Sequence, residues 1–419
     1  MAPSAMVQDE MEPLQLPYAR ASKISASVLH GPKDLRLECR TLSEPALGEL
    51  QVALRSTGIC GSDVSYYKKF ANGDLCACQP LSLGHESSGV VVAIGPQVSG
   101  FAVGDRVALE KMRFRSSAKS FPHFQGTLQD RINHPAVWCH KLPDNVSFDA
   151  AALLEPLSVA IHASNRARPE AGSTALVLGA GTVGLLTAAM ARQSGCTTVT
   201  VCDVDQGRVD YALDKGFATH GYVVPRPLHL SSSSSSVSGA STPGGATDGA
   251  MTPASSVFST LDGRLEGARA TAADIIAASF RASSAPLADP DEDEDDGFDV
   301  TFECTGKEVC MHTSLYATRP GGKVIMVGMG TPIQTLPMSV AHLREVDILG
   351  IFRYANTYAT GIRLLCAQKR GGGAFALPSL DDMVTHRFKG LENARQAFEL
   401  AGRTVDDEGR MVLKVVIEA

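Results

Sequence analysis

The stretch TALVLGAGTVGLLTAAMARQSGCTTVTVCD, residues 174–203, constrains the fold more than any other. A continuous apolar run of β character enters a glycine-rich turn, a segment of helical periodicity follows, and a second buried-type strand closes it. Strand, helix and strand in about 30 residues form the βαβ unit of a parallel sheet. Gly179, Gly181 and Gly184 spell G-x-G-x-x-G after the strand and before the helix, the context in which that pattern is informative. The first glycine permits the tight turn, the second lets backbone approach a pyrophosphate, and the third lets helix pack on strand. The helix N-terminus adds amides and a positive dipole end. Asp203 closes the next strand 19 residues after Gly184, where a carboxylate binds ribose hydroxyls and repels a 2′-phosphate. NAD is therefore favoured over NADP, with Arg208 nearby as the opposing signal. The plainer alternative is a glycine turn in some other α/β fold.

Elsewhere the pattern differs. From about Ile24 to Val146, short β-type runs broken by Gly and Pro predict a compact β-rich barrel. Further strands are expected at DVTFECTG and GGKVIMVG, and a last one at MVLKVVIEA. Between Arg226 and Gly297 eleven acidic residues face four arginines, so this segment carries the chain's whole net charge of −7. It is low-complexity Ser, Gly, Thr and Pro followed by a run of like charge, and it cannot bury enough apolar surface to order itself. Disorder is expected there, with one short helix at ATAADIIAASFRA. Phosphorylation of the serines is a regulatory alternative to a tolerated surface insertion.

The even balance of charge over the rest of the chain leaves no basic face, which argues against nucleic acid as a partner. The ten cysteines are scattered, the N-terminus lacks the basic and apolar pattern of a secretory signal, and no apolar run is long enough to span a membrane. A cytosolic protein without a membrane or nucleic-acid partner is expected.

Cys60 in TGICGSD and His85 with Glu86 in LGHESSG stand 25 residues apart. Thiolate, imidazole and carboxylate are ligand types that Zn²⁺ accepts, and three protein ligands leave an open position, the mark of a catalytic site. Alone, such a trio is more often coincidence; glycines beside each ligand and the dinucleotide fold that follows favour ligation.

GICGSDV, LGHESSGVVVAIG, GDRVALE, LLEPLSVAIHA, GAGTVGL, ECTG, REVDILGIFRYANT and VTHRF occur in that order. Together they resemble the polyol branch of the zinc-dependent medium-chain dehydrogenases, the sorbitol, xylitol and L-arabinitol enzymes. The resemblance implies an α/β chain: a GroES-like β-rich catalytic domain (23–165 and 336–419), a Rossmann domain with a doubly wound parallel sheet (166–335), a disordered tail (1–22) and an insertion (226–297). It implies Cys60, His85 and Glu86 as zinc ligands, Glu155 as a carboxylate that reaches the metal directly or through water, and Ser62 as the hydroxyl touching the reacting oxygen. It places Tyr66, Arg353 and Tyr354 around a polyol, and Thr182, Val183, Asp203, Arg208, Val327, Phe352 and Arg353 on the cofactor. A homo-oligomer, dimer or tetramer, is expected with it.

Two departures stand out. The four-cysteine lobe for a structural zinc is missing from ALEKMRFRSSAKSFPHFQGTLQD, so one catalytic zinc and no structural zinc are expected. Ser65 stands where those relatives carry a histidine, so a group with no pKa near 7 takes that place in the proton path. The expected activity is oxidation of a secondary hydroxyl on a polyol with reduction of NAD. The alternatives are the same chemistry on a non-sugar secondary alcohol or ketone, and a non-catalytic dinucleotide-binding protein.

Overall fold

In the computed structural model, residues 22–73, 75–110, 126–225, 260–280, 297–369 and 376–419 are described. The glycine-turn segment begins a parallel sheet of six strands among them: β1 (Thr174–Leu178), β2 (Thr198–Asp203), β3 (His220–Val223), β4 (Phe298–Glu303), β5 (Thr318–Met326) and β6 (Asp347–Gly350). They lie side by side in the order 3-2-1-4-5-6, which reverses direction between β1 and β4 and opens a crevice beyond their carboxyl ends. Most of β1, β2 and β4 is buried, as expected where helices cover both faces of a parallel sheet. At the turn, Gly179 has φ +100°, and a Cβ on Gly184 would lie 1.7 Å from the Gly179 carbonyl oxygen. No side chain fits there, so the helix Thr182–Gln193 seats directly on β1.

The second sheet is built around the strand Glu49–Gly58, which pairs antiparallel with Glu86–Ile94, Arg131–Pro135 and the C-terminal strand Lys414–Glu418. Val416 lies opposite Gly58, so the two ends of the chain meet in one sheet. Leu50, Val52, Leu54, Val91, Val107, Val415 and Ile417 fill its core. The helix Leu154–Ala167 leaves this sheet and packs on the glycine-turn helix, and its Leu157, Ala160 and Ile161 join the core around the parallel sheet.

Two expectations change. The strand β6 pairs with β5, Val324 opposite Ile348, so the dinucleotide-binding sheet runs past the expected boundary at 335–336. The REVDILG segment ends in the edge strand of that sheet. The helix within the insertion spans Leu261–Phe280, longer than the short one expected. Ala268, Ala272, Ile275 and Ser279 form its buried stripe, and Ala272 and Ile275 pack on Leu176, Leu178 and Phe298 of the sheet. It is the crossover between β3 and β4, so residues 261–280 belong to the fold and not to a disordered insertion.

The N-terminal tail, the Ser-rich and acidic runs and the 111–125 stretch of the expected missing zinc lobe lie outside the described residues. No helix among the described residues is long and apolar enough to cross a membrane, and all ten cysteines are free thiols. Replacing Gly184 by Ala overpacks the strand–helix contact and is expected to lower stability by about 1–3 kcal/mol; calorimetry showing an unchanged melting temperature would refute this close approach.

Candidate active site

Cys60 caps the helix Gly61–Lys69 from an extended conformation, φ −83° and ψ 151°. A thiolate at a helix N-terminus gains from the dipole, and the Ser62 hydroxyl donates to Cys60 Sγ at 3.2 Å. His85 and Glu86 arrive from the start of the strand Glu86–Ile94, which pairs Glu86 with Gly58. A Cβ on Gly58 would sit 2.3 Å from Glu86 Oε2; the glycine is what lets that carboxylate lie across its neighbour strand. The donor atoms of Cys60, His85 and Glu86 all fall within 4.8 Å of one another. One ion with bonds of about 2.0–2.3 Å closes that spread with small side-chain rotations, and the donor types suit Zn²⁺.

Two residues not singled out from the sequence complete this cluster. Asp63 is fully buried; its Oδ2 stands 3.2 Å from His85 Nδ1 and accepts from the Cys60 amide at 3.3 Å. A carboxylate on Nδ1 fixes the imidazole tautomer, with Nε2 as the metal-binding nitrogen. Lys414, also buried, donates to Glu86 Oε2 at 2.7 Å and to the Ile59 carbonyl at 3.2 Å. Burial alone would lower the Lys414 pKa, but the Glu86 carboxylate and the Cys60 thiolate together hold it above the ordinary lysine value. Asp63 sits three residues after Cys60, a capping spacing visible in the sequence. Lys414 lies 328 residues from Glu86, and no local signal points to it.

Cys60, His85 and Glu86 form one wall of a cleft of about 810 Å³. Ser62, Ser65, Glu155, Val183, Val327 and Arg353 also line it. Glu155, 6% exposed in the first turn of Leu154–Ala167, shares the cleft but stands outside the cluster of three donors. Arg353 holds φ 51°, a region rarely occupied by non-glycine residues. Cys304 lines the cleft too, and burial, then the charge of Glu303, pushes its thiol far above the usual range, which disqualifies it as a nucleophile.

At the glycine turn, a Cβ on Gly181 would meet nothing closer than Arg208 at 4.0 Å, so space remains over the helix N-terminus. Asp203 accepts from the Ala180 amide at 2.7 Å, Arg208 donates to the Val412 carbonyl, and Thr182 donates to that of Leu413. Phe352 is 63% exposed and outside the cleft lining. Tyr66 and Tyr354 are not among the lining residues either. Tyr66 is buried in the barrel core, because Ser62, Ser65 and Lys69 occupy the cleft side of its helix. Tyr354 packs against Tyr358 with ring centroids 5.5 Å apart.

Comparison with known proteins agrees with this architecture. The family profile described as alcohol dehydrogenase GroES-like domain matches residues 46–144, and the profile described as zinc-binding dehydrogenase matches residues 256–367. The chain is 34% identical to the sorbitol dehydrogenase of Gallus gallus over 394 residues, 90% of this chain and 93% of that one. It is 34% identical to the Homo sapiens sorbitol dehydrogenase over 388 residues, 89% and 91% of the two chains. Among solved structures, L-idonate 5-dehydrogenase from Escherichia coli superposes with TM-score 0.69 at 21% identity, covering 96% of this chain and 99% of that one. 2R,3R-butanediol dehydrogenase from Bacillus subtilis superposes with TM-score 0.66 at 22% identity, covering 94% and 99%. At those identities the two structures speak for the fold alone.

Removing the carboxylate charge behind His85 with Asp63→Asn is expected to weaken zinc affinity about 10–100-fold. Competition against a fluorescent chelator measures it, and an unchanged affinity would leave Asp63 with a packing role only.

Proposed function

The chain belongs to the zinc-dependent medium-chain alcohol dehydrogenases, among the sorbitol dehydrogenases, and from that premise we propose that it oxidises a secondary hydroxyl of a polyol to the ketone with NAD as hydride acceptor. The observation that carries this is the convergence of Cys60, His85 and Glu86 within 4.8 Å in a cleft whose opposite wall holds Val183 of the glycine-turn helix.

Cys60, His85 and Glu86 would hold the zinc and leave a position open for the substrate oxygen. The metal supplies Lewis acidity there, lowering the pKa of the alcohol. Ser62, fixed by its bond to Cys60, takes the hydroxyl proton, and Ser65, one turn further along the same helix wall, passes it toward solvent. Serine hydroxyls relay a proton without storing it at neutral pH. Glu155 faces the same space and shares that work. Asp63 keeps His85 in one tautomer, and Lys414 balances the negative charge that a thiolate and two carboxylates bring into a buried place.

The cofactor's hydride-accepting ring has to lie against this wall for transfer, and the fold provides for that by positioning. Thr182, Val183 and Val327 would border it, the amides after Gly181 would meet the pyrophosphate, and Asp203 would bind the adenine ribose. Arg208 lies beside the turn near the phosphate path, which leaves Asp203 as the residue that selects NAD. The same reading takes one catalytic zinc per chain and a cytosolic homo-oligomer.

NADH formation on xylitol, sorbitol or L-arabinitol, abolished by a chelator and restored by zinc, is the direct test; zinc-bound protein inactive on every polyol would refute the proposal. Asp203→Ser removes the repulsion of a 2′-phosphate, and the ratio of kcat/KM for NAD over NADP is expected to fall at least about tenfold, the equivalent of roughly 1.4 kcal/mol.

A further inference from the structure

The charged groups of the cleft are unevenly shared. Among the described residues, and apart from the cluster of three donors and Glu155, its charged lining residues are Lys69, Lys307 and Arg353, all cations. Lys307 follows β4 and Arg353 follows β6, on the dinucleotide side of the cleft, where a pyrophosphate would draw on positive charge. Lys69 stands on the opposite wall, at the last residue of the helix that Cys60 caps.

Ser62, Ser65 and Lys69 are spaced i, i+3 and i+7, one stripe of an α-helix, and all three line the cleft. The stripe begins at the hydroxyl that touches Cys60 and rises about 10 Å to Lys69 at 1.5 Å per residue. Lys69 is exposed and makes no ion pair among the described residues. Beside it, Asn72 lines the same cleft at 8% exposure, and its Nδ2 has no hydrogen-bond partner among the described residues. A buried amide donor left without a partner is costly, and its place in a cleft wall is where a ligand's acceptor would satisfy it.

We propose that the substrate carries an anionic group, a carboxylate or a phosphate, at the end remote from the oxidised hydroxyl, and that Lys69 and Asn72 receive it. This rests on the polyol oxidation proposed above and narrows it. The zinc cluster and Ser62 hold one end of the substrate, and the helix stripe sets the length over which the other end reaches its cation. A neutral polyol would meet the Asn72 donor with a hydroxyl oxygen but leave the Lys69 charge without a counter-charge, and hydrogen bonds to an ionised acceptor are the stronger ones.

Initial rates of NADH formation by the full-length, zinc-loaded protein on xylitol, xylonate and xylitol 5-phosphate test this and tell carboxylate from phosphate. At least one anionic substrate is expected to exceed xylitol in kcat/KM about tenfold or more, with a KM that rises with ionic strength. In Lys69→Met the anionic-to-neutral ratio of kcat/KM is expected to drop about tenfold through KM with kcat held, while Lys69→Arg keeps most of the preference. Asn72→Leu is expected to lower the ratio as well. Turnover of xylitol without a preference for either anion, or a ratio indifferent to Lys69→Met, overturns this inference and leaves polyol oxidation standing. Turnover of none of the three substrates, with sorbitol and L-arabinitol inactive as well, overturns both.

Discussion

Glu86 lies across Gly58 and meets Lys414 at 2.7 Å. Three strands are needed for that contact: the glycine opens the middle one, the carboxylate comes from one neighbour, and the ammonium comes from the C-terminal strand on the other side. Both charges are nearly free of solvent contact, at 4% and 1% side-chain exposure. A buried charge without its partner is strongly destabilising, so the register of the three strands and the geometry of the donor cluster are tied together. A slip of one residue would turn Glu86 to the other face of the sheet and separate it from Cys60 and His85.

Around that contact, each member of the cluster is held by something other than a metal. The helix N-terminus and the Ser62 hydroxyl hold Cys60, Asp63 holds His85, and Lys414 holds Glu86. Such support is how a site keeps its geometry through a catalytic cycle. The dinucleotide wall is arranged on the same logic by backbone alone: Gly184 lets the helix seat on β1, and its N-terminus then faces the cleft through Val183. The two walls belong to different sheets, and the helix Leu154–Ala167, with Glu155 in its first turn, connects them.

The sequence was most legible where function depends on neighbours in the chain. The glycine turn, its flanking strands and Asp203 were readable because a βαβ unit is completed within about 30 residues. Cys60, His85 and Glu86 were readable as ligand types, with the order of family motifs to support them. The crossover helix was only half visible: its buried stripe is mostly small residues, and a Ser-rich flank on one side and an acidic flank on the other obscure it. The sixth sheet strand lies beyond the expected boundary of its unit because a strand of four residues does not reveal which sheet it joins. Tyr66 and Tyr354 looked like pocket residues, and the packing turned one into the barrel core and the other onto Tyr358.

From the chain alone came the chemistry on offer: a glycine turn of the dinucleotide-binding pattern, a carboxylate closing the next strand, and a thiolate, an imidazole and an acid of the types a metal accepts. These follow from local spacing, because covalent neighbours fix turns, caps and helix stripes. Only the tertiary structure decided which distant groups share the site. Lys414 reaches Glu86 through strand pairing between chain ends, and Arg353 lines the same cleft as Ser62 and Ser65 of the barrel helix. Such encounters depend on register and packing between elements, which no short window of sequence encodes.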